Sequence, residues 1–329
     1  MALKKQCNAS KRDRFPWVWE VTKNASDQPF LDLGKAFTAF FKGTARHPKF
    51  KSKKRSRPSF YLANDQFEVG DHRVWIPKLG WVHLAENLRL GGKITGARIT
   101  RTADWWFMSI TVEMPDPIPL PQDRPSVGID VGLNRLATLS DGTGFENQKY
   151  LKTALKRLRQ ANKRLHRRKF GSKNREKARR QVARLHYKIT CLRDDLLHKR
   201  TTNVADQFAL IGIEDLNIRG LMKNRKLARS FADAALGKLK RLLEQKVPIR
   251  GGAVLKVDRF FPSSQICSCC GWRWSEITLS DRLFVCQQCG LSLDRDLNAA
   301  LNILQETLRL LAELQAKGKV VFGSGFDET

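Results

Sequence analysis

Residues 285–304, VCQQCGLSLDRDLNAALNIL, put a metal-type cysteine pair five residues ahead of an Asp-Arg-Asp that opens an apolar-striped helix. The pair Cys286-x2-Cys289 follows an earlier one, Cys267-x2-Cys270, after fifteen intervening residues. That is the spacing of a tetrahedral four-cysteine zinc ribbon. Gly271 and Gly290 supply the permissive backbone a tight knuckle needs just after each pair. Four thiolates close the coordination sphere, so zinc held by Cys267, Cys270, Cys286 and Cys289 would be structural. Cys269 falls outside the register. Disulfides or metal-free thiols are the alternative, and an odd total of seven cysteines speaks against a disulfide framework.

Working outward, three acids close apolar segments. Asp130 lies in SVGIDVG (126–132), Glu214 ends the apolar run of FALIGIEDL (208–216), and Asp296 opens the last helix. In an RNase H-like arrangement such positions converge and hold two Mg2+ ions, hard cations that take oxygen ligands and serve phosphodiester hydrolysis. Each acid also has a plainer reading: Asp130 as a turn acid before Gly132, Glu214-Asp215 as a strand-end pair, Asp294 or Asp296 as an N-cap. Their combination favours a shared site, because apolar strands rarely bury ionisable residues.

Charge points to the partner. The 329 residues carry 61 Lys and Arg against 32 Asp and Glu, a net +29. Such an excess repels itself in a compact fold unless a polyanion is bound, and nucleic acid is the favoured one. Between residues 152 and 200 stand 19 Lys or Arg and three acids. Leu151, Leu155, Leu158, Ala161 and Leu165, then Ala178, Val182, Leu185, Ile189, Leu192 and Leu196, follow helical spacing on either side of Gly171-Ser172. A basic helical hairpin with one apolar seam is expected. Trp17, Trp19, Trp105, Trp106, Trp272 and Trp274 could stack on bases or pack in a core.

No apolar run approaches the roughly 18 residues of a membrane span. The start, MALKKQCNASKRDRF, lacks the apolar core of a signal peptide, so a cytosolic protein is expected. PFLDLGKAFTAFF (29–41) reads as an amphipathic helix leading into a basic loop with eight Lys or Arg from Lys42 to Arg57. WIPKLGWVHL (75–84) and KITGARITRTADWWFMSITVE (93–113) read as strands, the second a hairpin at Ala103-Asp104. Five prolines between Pro115 and Pro125 mark a domain boundary. LATLSDGTGFEN (136–147) reads as a hairpin at Asp141-Gly142, AVLKVD (253–258) as a second strand buried on both faces, and SFADAALGKLKRLLEQKV (230–247) as one helix.

GIDVGLNRLATLSDG (128–142), IGIEDLNIRGL (211–221) and the stretch from Cys267 to Leu304 resemble the three RuvC segments and zinc ribbon of TnpB, the OrfB-type transposon family related to compact type V CRISPR effectors. AFTAFFKGTARHPKFKSKK (36–54) and WIPKLGWVHL resemble its recognition-helix and wedge segments. The resemblance extends from about Phe30 onward. It implies an α/β chain: an RNase H-like RuvC nuclease domain over 126–329, with the basic hairpin (150–200) and four-cysteine zinc ribbon (262–292) inserted. Ahead of it would stand a reduced recognition region with basic loop (1–57), a small β-barrel-like wedge domain (58–114) and the Pro-rich linker (115–125). Family members usually open with a Tyr/Arg-rich strand and further recognition helices, so a shortened N-terminus is expected.

By that resemblance the catalytic, magnesium-holding acids are Asp130, Glu214 and Asp296, with Asp294 a neighbour. The ribbon acts as a lid beside the third acid. The implied protein is an RNA-guided, Mg2+-dependent endonuclease with structural Zn2+, a guide RNA from the transposon end and double-stranded DNA as partners, in a prokaryotic cytoplasm at the nucleoid. The alternative is a guided DNA-binding regulator or transposition accessory protein that does not cut. A transposase catalysing strand transfer would order its acids Asp, Asp, Glu, and this chain reads Asp, Glu, Asp. A structural zinc-ribbon protein, such as a ribosomal component, explains the charge but not the acids.

Overall fold

A computed structural model describes residues 2–52, 56–116, 119–121, 123–278 and 280–318. Parts of the basic loop (53–55) and of the Pro-rich linker (117, 118 and 122) lie outside the described residues. The chain divides into two compact units, Met1–Asp116 and Pro117–Thr329. No helix among the described residues is long and apolar enough to cross a membrane.

The first unit opens with α1 (Ala2–Arg14) and α2 (Lys23–Phe41). The helix expected from residue 29 starts six residues earlier and runs through Pro29. Lys23, Asn24, Ala25 and Ser26 tolerate helical geometry, so the one backbone bond Pro29 removes does not stop it. Six strands follow: β1 (Ser59–Ala63), β2 (Glu68–Gly70), β3 (Arg73–Ile76), β4 (Gly80–His83), β5 (Lys93–Thr102) and β6 (Trp105–Glu113). They form two antiparallel three-stranded sheets, β1-β5-β6 and β2-β3-β4. Leu62, Phe67, Val74, Ile76, Ala97 and Ile99 bury one shared core between them. The β5–β6 hairpin turns at Ala103-Asp104, with Ala103 left-handed at φ 56°.

The second unit is built on β7 (Ser126–Val131), β8 (Arg135–Leu139), β9 (Gly144–Glu146), β10 (Leu210–Glu214) and β11 (Ala253–Val257). Their order is β11-β10-β7-β8-β9, with β7, β10 and β11 parallel and the β7–β8–β9 meander antiparallel. Gly142, at φ 89°, turns the last hairpin. Between β9 and β10 lie α3 (Tyr150–His166) and α4 (Lys173–Gln207), broken at Gly171 and capped by Ser172, whose hydroxyl accepts from Arg175 N. The far end of α4 enters the sheet's core through Leu197, Val204 and Ala205. Leu192 is exposed and Leu197, not Leu196, is fully buried, because the seam rotates as α4 leaves its partner helix for the sheet.

The single helix expected over 230–247 is two. After α5 (Ile218–Leu221), α6 (Ala228–Ala234) ends at Ala235 (φ 52°), and α7 (Leu236–Ile249) restarts in a register that buries Leu239, Leu242, Leu243 and Val247 on the sheet. The break leaves Asp233 free to cap α3: its carboxylate accepts from Leu151 N at 3.0 Å and pairs with Arg193 at 3.1 Å. β11 is the edge strand of the sheet and is packed on both faces, Ala253 and Leu255 against Leu310, Leu311 and Leu314 and Val254 against the opposite core, with Lys256 exposed and paired to Glu244 at 3.4 Å.

Side-chain alternation sorts the sheet's two faces. Val127, Ile129, Ile211 and Ile213 face α4 and α7. Gly128 and Gly212 face α8 (Arg295–Ala316), the helix that follows β12 (Leu283–Val285) and β13 (Ser292–Asp294). A Cβ on Gly128 would lie 2.2 Å from Ala300 O, and one on Gly212 would lie 1.9 Å from Thr307 Oγ1. Backbone therefore meets helix directly. Gly128→Ala should destabilise the second unit by about 1–3 kcal/mol, as overpacking of a tight contact does; a Tm equal to wild type would show that α8 can shift at no penalty.

Candidate active site

The same alternation aims the acids. Asp130 is two residues beyond Gly128, and Glu214 is two beyond Gly212, so both carboxylates share the face on which α8 lies. In the parallel β7–β10 ladder the last paired residues are Ile129 and Ile213, which leaves Asp130 and Glu214 side by side at the next step. Asp296 sits in the first turn of α8, where Asp294 is the N-cap and accepts from Asp296 N at 3.0 Å and Leu297 N at 3.1 Å. The plainer N-cap reading thus holds for Asp294, and Asp296, in the first turn behind it, lies within electrostatic reach of Asp130.

Asp130 lies within electrostatic reach of both Glu214 and Asp296. Burial pushes Asp130 up to about 8, with Glu214 and Asp296 adding repulsion and Arg295 opposing it. Burial also raises Glu214, partly offset by a hydrogen bond from Ser263 Oγ at 2.5 Å. Arg295 pairs with Asp296 at 3.3 Å and donates to Thr278 O at 2.9 Å. Asp215 is not part of this group, since Lys240 at 2.5 Å and Arg259 at 2.8 Å hold it below the ordinary carboxylate range.

A cluster of acidic side chains with one guanidinium among them suits divalent cations, which would relieve the repulsion. Asp130, Glu214 and Asp296 are the candidates to hold them, while among the described residues the four cysteines alone already bring their ligand atoms into a metal-sized group.

The ribbon forms beside this cluster. The four sulfurs of Cys267, Cys270, Cys286 and Cys289 lie within 4.8 Å of one another, the one such group of potential metal ligands among the described residues. Cys267–Cys289 and Cys270–Cys286 are 3.6 and 3.5 Å apart. Those separations are far beyond a disulfide bond and close to the roughly 3.8 Å edge of a tetrahedron with Zn–S of about 2.3 Å. The two knuckles repeat one another: Cys267 N bonds Trp272 O, Cys286 N bonds Leu291 O, and Gly271 (φ 79°) and Gly290 (φ 75°) turn back to Cys267 O and Cys286 O. Trp272 and Trp274 pack edge-on against fully buried Phe284, so these two tryptophans are core and not base platforms. Trp17, Trp19 and Trp106 are exposed. Cys269 is exposed and outside the cluster.

The hairpin presents its charge as a cleft. Arg164, Arg168, Lys177, Arg180 and Arg184 line a cavity of about 620 Å3 between α3 and α4. A second cavity of about 640 Å3 is lined by Asn134, three residues past β7, and by Lys149, Lys152, Arg225, Lys226 and Arg229. Its acid, Asp233, is already committed to α3 and Arg193.

Known proteins resemble the chain over most of its length. The OrfB_IS605 family model, described as "Probable transposase", matches residues 109–225, and a "Cas12f1-like, TNB domain" model matches 237–303. A Streptomyces pristinaespiralis protein named "Putative RNA-guided DNA endonuclease" is 37% identical, covering 89% of this chain and 74% of its own. The chain belongs to the TnpB family. "Putative RNA-guided DNA endonuclease InsQ" of Escherichia coli K12 is 32% identical, covering 90% of this chain and 77% of its own. Among solved structures, Cas12f1 in its complex with sgRNA and target DNA aligns with a TM-score of 0.55 at 16% identity, over 83% of this chain and 69% of that one, which shows a shared mixed α/β fold.

The sequence reading names Asp130, Glu214, Asp296 and the four cysteines but not Ser263, Asn298 or Asn302. The last two were visible as polar residues four apart on the buried stripe of α8, while Ser263 has no sequence signal.

Asp130 holds its proton more tightly folded than unfolded, so the folded chain carries extra proton occupancy between pH 3.8 and about 8. Its contribution to stability is therefore lost as pH rises through that window. Melts of zinc-loaded protein without other divalent ions should show Tm falling with pH, a shallower slope for Asp130→Asn, and recovery on adding Mg2+ at the alkaline end. An identical slope in Asp130→Asn would remove Asp130 from the cluster.

Proposed function

We propose that the chain is an RNA-guided DNA endonuclease that cuts with a single RuvC-type site. The observation that carries it is that Asp130 and Glu214 end neighbouring strands on the face covered by α8, whose first turn carries Asp296 within electrostatic reach of Asp130, in the order Asp, Glu, Asp. This strand order and the covering helices support an RNase H-like RuvC core over 126–329. The two sheets of the first unit, with their shared core, support a wedge domain over 58–114, of small-barrel type, after a recognition region at 1–57; residues 115–125 link it to the nuclease.

Mg2+ ions, two in the proposed scheme, would supply the charge that activates the attacking water and stabilises the leaving oxygen of a phosphodiester. The chain's own residues do the rest. Asp130 and Glu214 are fixed by rigid neighbouring strands, Asp296 by the capped first turn of α8, and Arg295 balances the cluster while tying it to Thr278 of the ribbon. Zn2+ in the four-cysteine site is assigned a structural role. The two cationic clefts would hold sugar-phosphate backbones of guide RNA and target DNA, leaving sequence choice to base pairing. The guide is expected to derive from the transposon end, and the protein to work at the prokaryotic nucleoid.

The deciding experiment is cleavage of a target library by protein co-expressed with its own flanking DNA. Guided cutting should occur with Mg2+ and fall to background for Asp130→Ala, Glu214→Gln and Asp296→Asn, with RNA and DNA binding retained. Copurified RNA without cutting by the wild type would favour the guided binder instead.

Charge reversal in the hairpin cleft addresses the binding surface. Arg164→Glu with Arg168→Glu should weaken RNA binding and lower the slope of log K against log salt by about one for each phosphate the cleft no longer neutralises. An unchanged slope would take the cleft out of the interface.

A further inference from the structure

We propose that Ser263 is a positioning residue for Glu214, and that two buried asparagines of α8 tie it to the four-cysteine ribbon, so that the state of the metal knuckle is transmitted to the carboxylate site. The inference rests on the reading of Glu214 as a cation-holding carboxylate.

Ser263 is only 5% exposed and lies just beyond β11, 49 residues from Glu214 in sequence. Its hydroxyl proton goes to Glu214 Oε1 at 2.5 Å, which leaves the other carboxylate oxygen unconstrained by this bond. A glutamate's terminal torsion is broad, so a single short hydrogen bond sets which oxygen faces the cluster. The serine is itself held. Asn302 Nδ2 donates to Ser263 O at 2.7 Å and to Ile266 O at 2.6 Å. One turn earlier, Asn298 Nδ2 donates to Ile266 O at 2.7 Å and its Oδ1 accepts from Ser268 N at 3.0 Å.

Both asparagines are buried, at 0% and 1% exposure. A buried amide is costly unless its bonds are made, and here they are made on the segment 263–268. Cys267 lies inside that clamp, between Ile266 and Ser268. The same helix turn carries Asp296, two residues before Asn298. One helix therefore presents one acid directly and another through Ser263, and the zinc knuckle occupies the segment between its two anchors. Residues that orient a metal-holding carboxylate typically change affinity or activity 10- to 100-fold when removed.

The test compares wild type, Ser263→Ala, Ser263→Cys, Ser263→Thr and Asp130→Ala as full-length guide RNA complexes. It measures Mn2+ binding by electron paramagnetic resonance, zinc content, and cleavage against Mg2+ concentration. Asp130→Ala identifies the Mn2+ bound at the cluster.

Ser263→Ala and the near-isosteric Ser263→Cys should bind Mn2+ about tenfold or more weakly, keep zinc and guide RNA, and recover cutting at high Mg2+. Ser263→Thr, which keeps the hydroxyl, should stay near wild type. Zinc removal should weaken Mn2+ binding in wild type yet add little in Ser263→Ala, the non-additivity of two changes acting through one contact. Wild-type Mn2+ affinity in both Ser263→Ala and Ser263→Cys would overturn the positioning role. Additive effects of zinc removal and Ser263→Ala would overturn the coupling. Should the wild type fail to cut, the nuclease reading falls while the Mn2+ comparison still decides the role of Ser263.

Discussion

The contact between α8 and the two glycines of the central strands constrains the rest of the second unit. Gly128 and Gly212 carry no side chain where Ala300 and Thr307 press on the sheet, and any Cβ would lift the helix away. Because side chains alternate along a strand, the acid two residues further on in each strand must emerge on the same face, at the end where α8 begins. The proposed site of three carboxylates from three distant segments would thus follow from one helix lying flush on two strands. Asp294 fixes the helix start by capping it, which leaves Asp296 no freedom to slide along the axis.

This arrangement inverts the chain's overall electrostatics over a short distance. A protein of net +29 concentrates carboxylates at one point, and the burial of Asp130 makes that point unfavourable to ionise without added positive charge. The surrounding surface does the opposite work, with two clefts of lysine and arginine suited to phosphates. On the proposed reading, backbone binding and bond cleavage need different partners: the clefts would attract the polyanion, and the carboxyls would call for cations beyond Arg295.

What the sequence disclosed follows how local each signal is. Cysteine spacing, the turn glycines and the apolar strands of Ser126–Val131 and Leu210–Glu214 are written within a few residues, and each has its counterpart among the described elements. Helix limits were less legible where tertiary demands intervene. Pro29 did not start a helix, and Ala235 broke one because Asp233 serves α3 while Leu236 onward serves the sheet. Nor could periodicity foretell that α4 changes partners and buries Leu197 in place of Leu196. Ser263 was invisible for a deeper reason: its role exists only through a hydrogen bond spanning 49 residues.

The position of the ribbon can be argued from the same constraint. Between β11 and α8 the chain leaves the sheet for residues 258–294 and must return with Asp294 and Asp296 in register against Asp130. A flexible excursion of that length would pay loop-closure entropy and leave the start of α8 poorly anchored. The excursion's own apolar core is small, centred on Phe284 with two tryptophans, too little to fold a segment of this size unaided. The four-cysteine cluster, which could hold a metal, draws it together locally, and Asn298 and Asn302 fasten the first knuckle to the helix it precedes. On this reasoning the cysteine knuckle adjoins the proposed acid site because Asp296 is delivered at the end of a long connection with no helix among its described residues, and the proposed site's geometry would depend on that connection being rigid.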